Sequence, residues 1–248
     1  MKRLILSLLP LPLLAGAALA QDDVVRMGTE GAYPPYNFIN DNGEVDGFER
    51  ALGDGLCDRA ALNCVWVTSD WDSIVPTLVS GNYDTIIAGM SITPAREEVI
   101  DFTEAYIPPA PSSYLAMAGM NPDLENGVVA AQAGTVQADY VADSGATLVE
   151  YATPEETVAA VRNGEVDAVL ADKAFVEPVA NESGGAMVLV EDVRIGGGMG
   201  MGLRSSDDEL RGQFDEVIIE MKQDGSLNEL LVEWFGDENY DPNGRGTR

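Results

Sequence analysis

Short apolar runs alternate with longer amphipathic stretches along most of the chain. Residues 24–28 and 64–68 are compact apolar runs rich in β-branched side chains, which predicts buried strands. Between them, Asp46-Gly47-Phe48-Glu49 has the form of a capping box and predicts a helix running towards Cys57. A second helix is predicted from near Asp72 to Gly81, leading into the apolar run 85–88. Strands that alternate with helices are the grammar of an α/β layer built on a mostly parallel sheet flanked by helices.

The same grammar returns further on. Residues 128–131 and 148–151 predict strands, and Thr153-Pro154-Glu155-Glu156 is a capping box with proline at the first helical position. The helix it opens ends at Gly164, before the apolar run 168–171. The earlier Gly81-Asn82-Tyr83-Asp84 precedes its own apolar run in the same layout, displaced by 83 residues. A shared Gly-x-x-Asp is weak evidence alone, but the repeated order of elements favours two similar lobes over one sheet. The proline-rich segment 107–111 and the glycine run 196–198 read as connections between them. Beyond the second connection, Leu210, Phe214, Val217, Ile218 and Met221 have helical spacing, and residues 227–235 form a last helix. The expected organisation is lobe I from 21–110, lobe II from 111–195, and a return segment with C-terminal helices, 196–248, that packs back on lobe I.

The start of the chain stands apart from this pattern. Lys2 and Arg3 precede the apolar residues 4–14, and Ala18-Leu19-Ala20 offers small side chains at a cleavage position, so residues 1–20 read as a secretory signal. The apolar stretch is shorter than the ~20 residues a span needs, and prolines interrupt it. No cysteine follows Ala20 directly to carry a lipid, and no later segment is long and apolar enough to cross a bilayer. A soluble, exported protein with no membrane anchor is therefore expected.

Charge and composition narrow the chemistry. The chain has 42 acidic and 14 basic residues, a net charge of −28. That balance argues against nucleic acid and anionic lipid as partners, while solubility in a saline medium and attraction of cationic ligands both remain open. With no histidine, a Ser-His-Asp triad and most zinc sites are excluded, and neither metal nor cofactor is expected. Cys57 and Cys64, the only cysteines, favour a disulfide in an exported chain.

Ligands of parallel α/β sheets gather at the carboxyl ends of strands. The repeat places Gly89 and Asp172 at equivalent strand ends of the two lobes. After Gly89, Thr93 is a candidate N-cap with Pro94 first in the helix, and Arg96 in the first turn adds a donor fork suited to a carboxylate. An exposed arginine paired with Glu97 is equally consistent with the spacing. Gly134-Thr135-Val136-Gln137 is a strand-to-helix turn with free backbone donors. Asp172 is either a carboxylate for an ammonium group or an ordinary N-cap. Tyr33 and Trp71 each follow a strand and could flank a ligand, and Glu30 shares a loop with Tyr33.

Taken together, V-R-M-G-T-E-G-A-Y-P-P-Y-N-F from Val25, A-G-M-S-I-T-P-A-R-E-E-V-I-D-F-T from Ala88, A-G-T-V-Q from Ala133, G-E-V-D-A-V-L-A-D from Gly164 and G-M-G-M-G-L-R from Gly198 carry a resemblance. The chain resembles the periplasmic polar amino-acid-binding proteins of ATP-driven transporters, solute-binding protein family 3, which includes lysine/arginine/ornithine-, histidine- and glutamine-binding proteins. The resemblance implies two α/β lobes of the periplasmic binding protein type II, joined by two crossover strands and closing on a ligand like a hinge. It implies a monomer that is not an enzyme and that hands its ligand to a membrane permease. Arg96 matches the arginine that grips the ligand α-carboxylate, with the Ser91 backbone and the Thr135-Val136 turn. Asp172 matches the acid that holds the α-ammonium, beside the Ser91 hydroxyl and the Gly89 carbonyl.

By the same resemblance, Tyr33 and Trp71 match the aromatic pair around the ligand side chain, Glu30 stands where the basic-amino-acid binders carry an acid, and the cysteine pair matches their disulfide. Ala88-Gly89 departs from the serines of the basic-ligand members and is more like the glutamine binders. A cationic ligand such as arginine, lysine or ornithine is the favoured expectation. A polar neutral amino acid such as glutamine, or an exported dehydratase on the same fold, is the alternative.

Overall fold

A computed structural model of the protein describes residues 24–236. The secretory signal read at 1–20 lies outside them. The chain opens with β1 (Val24–Thr29), a small antiparallel sheet of β2 (Ala32–Tyr33), β3 (Asn37–Ile39) and β4 (Val45–Asp46), then α1 (Phe48–Arg59), β5 (Asn63–Thr68), α2 (Trp71–Val79), β6 (Thr85–Ile86), the short α3 (Pro94–Glu97) and β7 (Asp101–Phe102). It continues through β8 (Pro111–Met117), β9 (Val128–Gln132), α4 (Val136–Asp143), β10 (Thr147–Tyr151), α5 (Pro154–Asn163), β11 (Ala168–Asp172), α6 (Lys173–Glu182) and β12 (Met187–Arg194). The return segment holds β13 (Gly202–Leu203), α7 (Asp208–Asp224) and α8 (Ser226–Phe235).

Two five-stranded sheets form two lobes, in the orders β5-β1-β6-β13-β7 and β10-β9-β11-β8-β12. Within each, the strands linked by helices are parallel, as the alternation predicts: β5 with β1 and β1 with β6, β10 with β9 and β9 with β11. The sheets as wholes are mixed, because the strands next to the interlobe connections pair antiparallel, β13 with β6 and β7, β8 with β11 and β12. The chain leaves the first sheet after Phe102, enters the second at Pro111, and comes back between Arg194 and Gly202. The two connections lie side by side, with Ile107 bridged to Met199.

The repeated Gly-x-x-Asp has one job in both lobes. Asp84 accepts from the Arg26 N–H through its carboxylate at 2.9 Å and gives its own N–H to the Arg26 carbonyl at 2.9 Å. Asp167 does the same with Val128, at 2.8 Å in each direction. In each lobe the aspartate thus pins the start of the middle parallel strand to the strand beside it, so that their carboxyl ends emerge together.

The capping box at Thr153 forms as predicted, Thr153 Oγ1 accepting from Glu156 N–H and Glu156 from Thr153 N–H. The one at Asp46 does not: Gly47 occupies the N-cap and no side chain caps α1. The Phe48 and Glu49 N–H groups bond the Pro35 and Tyr36 carbonyls instead, at 3.0 and 2.8 Å. That approach requires glycine at 47, where φ is 115° and a Cβ would lie 2.6 Å from the Tyr36 oxygen. Glu49, freed from capping, points inward and is completely buried.

The apolar face of α1 (Phe48, Leu52, Leu56) packs in one cluster with Phe214, Ile218, Leu227 and Leu231 of α7 and α8, which returns the C-terminal helices to the first lobe. Cys57 and Cys64 are bonded, Cα to Cα 6.2 Å, and staple the last turn of α1 to β5.

Candidate functional site

A narrow cavity lies between the lobes. Its walls include all ten residues singled out from the sequence: Glu30, Tyr33, Trp71, Ala88, Gly89, Ser91 and Arg96 from the first lobe, Thr135, Val136 and Asp172 from the second. Their common origin is topological. Each lies at or beyond the carboxyl end of a parallel strand: β1 for Glu30 and for Tyr33 (which ends the short β2), β5 for Trp71, β6 for Ala88 to Arg96, β9 for Thr135 and Val136, and β11 for Asp172, its last residue.

At one end, Thr93 caps α3, its Oγ1 accepting from Arg96 N–H at 3.3 Å, and so sets the Arg96 side chain over the cavity. Arg96 Nη1 donates to the Ser91 carbonyl at 2.7 Å and Nη2 to the Gly134 carbonyl across the cleft at 3.0 Å. Its guanidinium lies 5.5 Å from the Trp71 ring centroid. Facing it is the N-terminus of α4, capped by Thr135, whose Oγ1 accepts from Ala138 N–H at 3.2 Å. A guanidinium and a helix start converging on one point form a receptor for a carboxylate.

Asp172 precedes α6 at the N-cap position, yet makes no cap bond with its side chain. Its carboxylate accepts from the Tyr33 hydroxyl at 2.9 Å, and its N–H donates to the same oxygen at 3.1 Å. The Tyr33 ring stacks on Phe175 of the opposite lobe and on Tyr36 behind it, with centroids 4.7 and 5.4 Å apart. Tyr33 is thereby a wall and a clasp together, more engaged with protein than a simple ligand-facing ring. Trp71 is likewise shared with Arg96.

Glu30 accepts from Gln132 Nε2 of the second lobe at 2.6 Å. The pairs Arg96–Gly134, Tyr33–Asp172 and Glu30–Gln132 all cross from one lobe to the other, so the cavity belongs to a closed arrangement.

No ion pair among the described residues involves Arg96, Asp172 or Glu30. Burial without a counter-ion raises Asp172 to about 6, against the hydrogen bonds of Tyr33 and Gln137 and the charge of Arg96. Burial raises Glu30 to about 7, with repulsion from Asp70, Asp72 and Glu49 adding to it and the Gln132 hydrogen bond opposing it. Burial also lowers Arg96. The site holds one cation and two buried carboxyls that form no ion pair among the described residues, Arg96 acting on Asp172 only through its charge at longer range.

Residues 25–237 match the model of bacterial extracellular solute-binding proteins, family 3. The chain belongs to this family. The lysine/arginine/ornithine-binding periplasmic protein of Escherichia coli (strain K12) is 31% identical over 92% of this chain and 96% of that one. The octopine-binding periplasmic protein of Rhizobium meliloti is 30% identical over 89% and 93%. A periplasmic His/Glu/Gln/Arg/opine family-binding protein from Silicibacter pomeroyi, solved in complex with lysine, is 66% identical, with a TM-score of 0.85 over 88% of this chain and 99% of that one. The two-lobed fold read from the sequence is thus the fold of the family. Its members are non-catalytic solute-binding proteins, so the dehydratase alternative gives way to binding.

Gln132, Gln137 and Thr157 also line the cavity; the sequence pattern named Gln137 only as the end of the 134–137 turn and did not mark the other two. Gln132 ends β9 and was within reach of the strand-end rule. Thr157 sits inside α5 with its hydroxyl bonded to the Pro154 carbonyl, and nothing in the local pattern marks it.

Proposed function

We propose that this family-3 solute-binding protein captures a cationic L-amino acid, such as lysine, arginine or ornithine, in the periplasm and delivers it to the permease of an ATP-driven transporter. The observation that carries the reading is the set of charged groups lining the cavity with no ion pair among the described residues: Arg96, Asp172 and Glu30. A cationic amino acid has the complementary set. Its carboxylate meets Arg96 and the α4 N-terminus, its α-ammonium meets Asp172, and its side-chain cation meets Glu30, with the stem passing between Tyr33 and Trp71. The lysine-bound relative and the lysine/arginine/ornithine binder support the same class. The ten lining residues named above are the ligand contacts of this proposal.

A second reading, a polar neutral amino acid such as glutamine, draws on Ala88-Gly89 and on Glu30 itself. With a pKa of about 7 a protonated Glu30 can donate to a neutral amide. Thermal unfolding of the purified protein against individual amino acids tests the proposal, since a ligand at 100 times its Kd stabilises by ~2.7 kcal/mol. Lysine, arginine or ornithine should raise Tm most. No shift with any amino acid would overturn the function, and a larger shift with glutamine would select the second reading.

A further inference from the structure

Glu49 does not itself line the cavity, yet it holds one residue that does and, through Asn37, the neighbour of another. Its Oε1 accepts from the Gly89 N–H at 2.6 Å and from the Tyr106 hydroxyl, and its Oε2 accepts from Asn37 Nδ2 at 2.7 Å. Asn37 in turn uses Oδ1 to hold the Gly31 N–H at 2.7 Å, the residue next to Glu30. Glu49 and Asn37 are both completely buried. Tyr106 belongs to the segment leading into the first interlobe connection, and its N–H pairs with Met199 of the second.

The geometry points to Glu49 as the positioning residue of the ligand site, acting through two arms. The first arm is the 88–89 peptide. In a trans peptide the carbonyl points opposite to the N–H, so anchoring the Gly89 N–H on Glu49 turns the Ala88 carbonyl to the side on which Ala88 and Gly89 line the cavity. Gly89 takes φ of 61° there, with the Tyr33 ring 3.6 Å from where a Cβ would be. The fixed carbonyl is an acceptor for the ligand ammonium that does not depend on the serines missing at 88 and 89. The second arm runs through Asn37 to the loop of Glu30 and fixes the end of the cavity that reads the side chain. This rests on the ligand reading proposed above.

The donors around Glu49 make a sharp test. An amide at this position turns an NH2 group either towards Asn37 Nδ2, which is itself a donor, or towards the Gly89 N–H, so one arm breaks whichever way it turns. Replacing Asn37 by aspartate at the same time supplies two acceptors, one for the new amide and one for the Gly31 N–H, and rebuilds the chain with donor and acceptor exchanged. The experiment is calorimetry of the purified protein with L-arginine and L-citrulline, for wild type, Glu49→Gln and Glu49→Gln/Asn37→Asp, each shown to be folded by thermal unfolding.

Glu49→Gln should bind arginine weaker by on the order of tenfold with a changed arginine-to-citrulline ratio, and the double variant should recover most of both. A Glu49→Gln protein that binds both ligands like wild type overturns the inference, as does a folded double variant that recovers nothing. Should Glu49→Gln fail to fold, amide exchange in unliganded wild type decides: the Gly89 N–H should be strongly protected, and fast exchange there refutes the first arm. Wild type that binds no amino acid would instead sink the ligand reading.

Discussion

Ligand capture should release protons and weaken steeply in mild acid. The cavity carboxyls Asp172 and Glu30 sit at about 6 and about 7 because burial penalises their charged forms. A ligand that brings an ammonium to one and a cationic side chain to the other requires both ionised. Each therefore imposes a penalty of one plus the ratio of its protonated to ionised form. At pH 8 the combined penalty is near unity, and at pH 6 Glu30 contributes about tenfold and Asp172 about twofold, so affinity should fall by roughly 20-fold between them. Near pH 6.5 about one proton in total should leave per ligand bound.

The sign is opposite for the unliganded fold. Both carboxyls have folded pKa values above their unfolded ones, so the stability they contribute is present in full below about pH 4 and is lost as the pH rises through 6 to 7. Titration calorimetry with lysine, in buffers of different ionisation enthalpy from pH 5.5 to 8, reads affinity and proton release together. In Glu30→Gln the step near pH 7 should vanish and leave the one near 6. Flat affinity across this range, with heats independent of the buffer, would refute the picture of two strained carboxylates awaiting a cation.

Arg96→Ala and Asp172→Ala should each lose ~2–5 kcal/mol of binding, because each leaves a desolvated ligand charge unpaired; calorimetry showing either within about threefold of wild type would remove that residue from the site. The Cys57–Cys64 bond closes a short loop, worth about 2 to 3 kcal/mol in the chain-entropy model, so a folded Cys57→Ser/Cys64→Ser variant should lose stability and keep its affinity. Free thiols in the unreduced, denatured protein would contradict the pairing. Asp84, pushed up by burial but held down to about 2 by Arg26 and Arg204, contributes stability that is full above about pH 4 and lost as the pH falls towards 2. Asp84→Asn should therefore lower urea stability at pH 7 by roughly 2 kcal/mol and by much less at pH 2.5, and an equal loss at both would argue against the linkage.

The legible parts of the sequence were those in which local pattern and tertiary placement coincide. The Gly-x-x-Asp repeat was visible as spacing, and its meaning is an aspartate that pins the start of the middle strand in each lobe, so that the residues at the strand ends line one cavity. The capping boxes show where that ends. Thr153 and Asp46 open the same four-residue pattern, but only Thr153 caps its helix, because at α1 the carbonyls of Pro35 and Tyr36 reach the free N–H groups first. Those carbonyls come from a loop folded back across Gly47, which no window of sequence around Glu49 contains. Glu49 consequently read as the last residue of a capping box and is a completely buried acid beneath the site. The partners of Glu30 and Asp172, Gln132 and Tyr33, were hidden for a related reason, since each pair joins residues more than 100 positions apart across the closed cleft.

Glu30 should be the residue that makes this a site for cations. Calorimetry of wild type and Glu30→Gln with arginine and its neutral isostere citrulline tests it directly, since the two ligands share the α-amino-acid group and differ in the side-chain charge. Wild type should prefer arginine, and Glu30→Gln should weaken arginine while leaving citrulline nearly unchanged. Tighter binding of citrulline by wild type, or arginine affinity indifferent to Glu30→Gln, would contradict it.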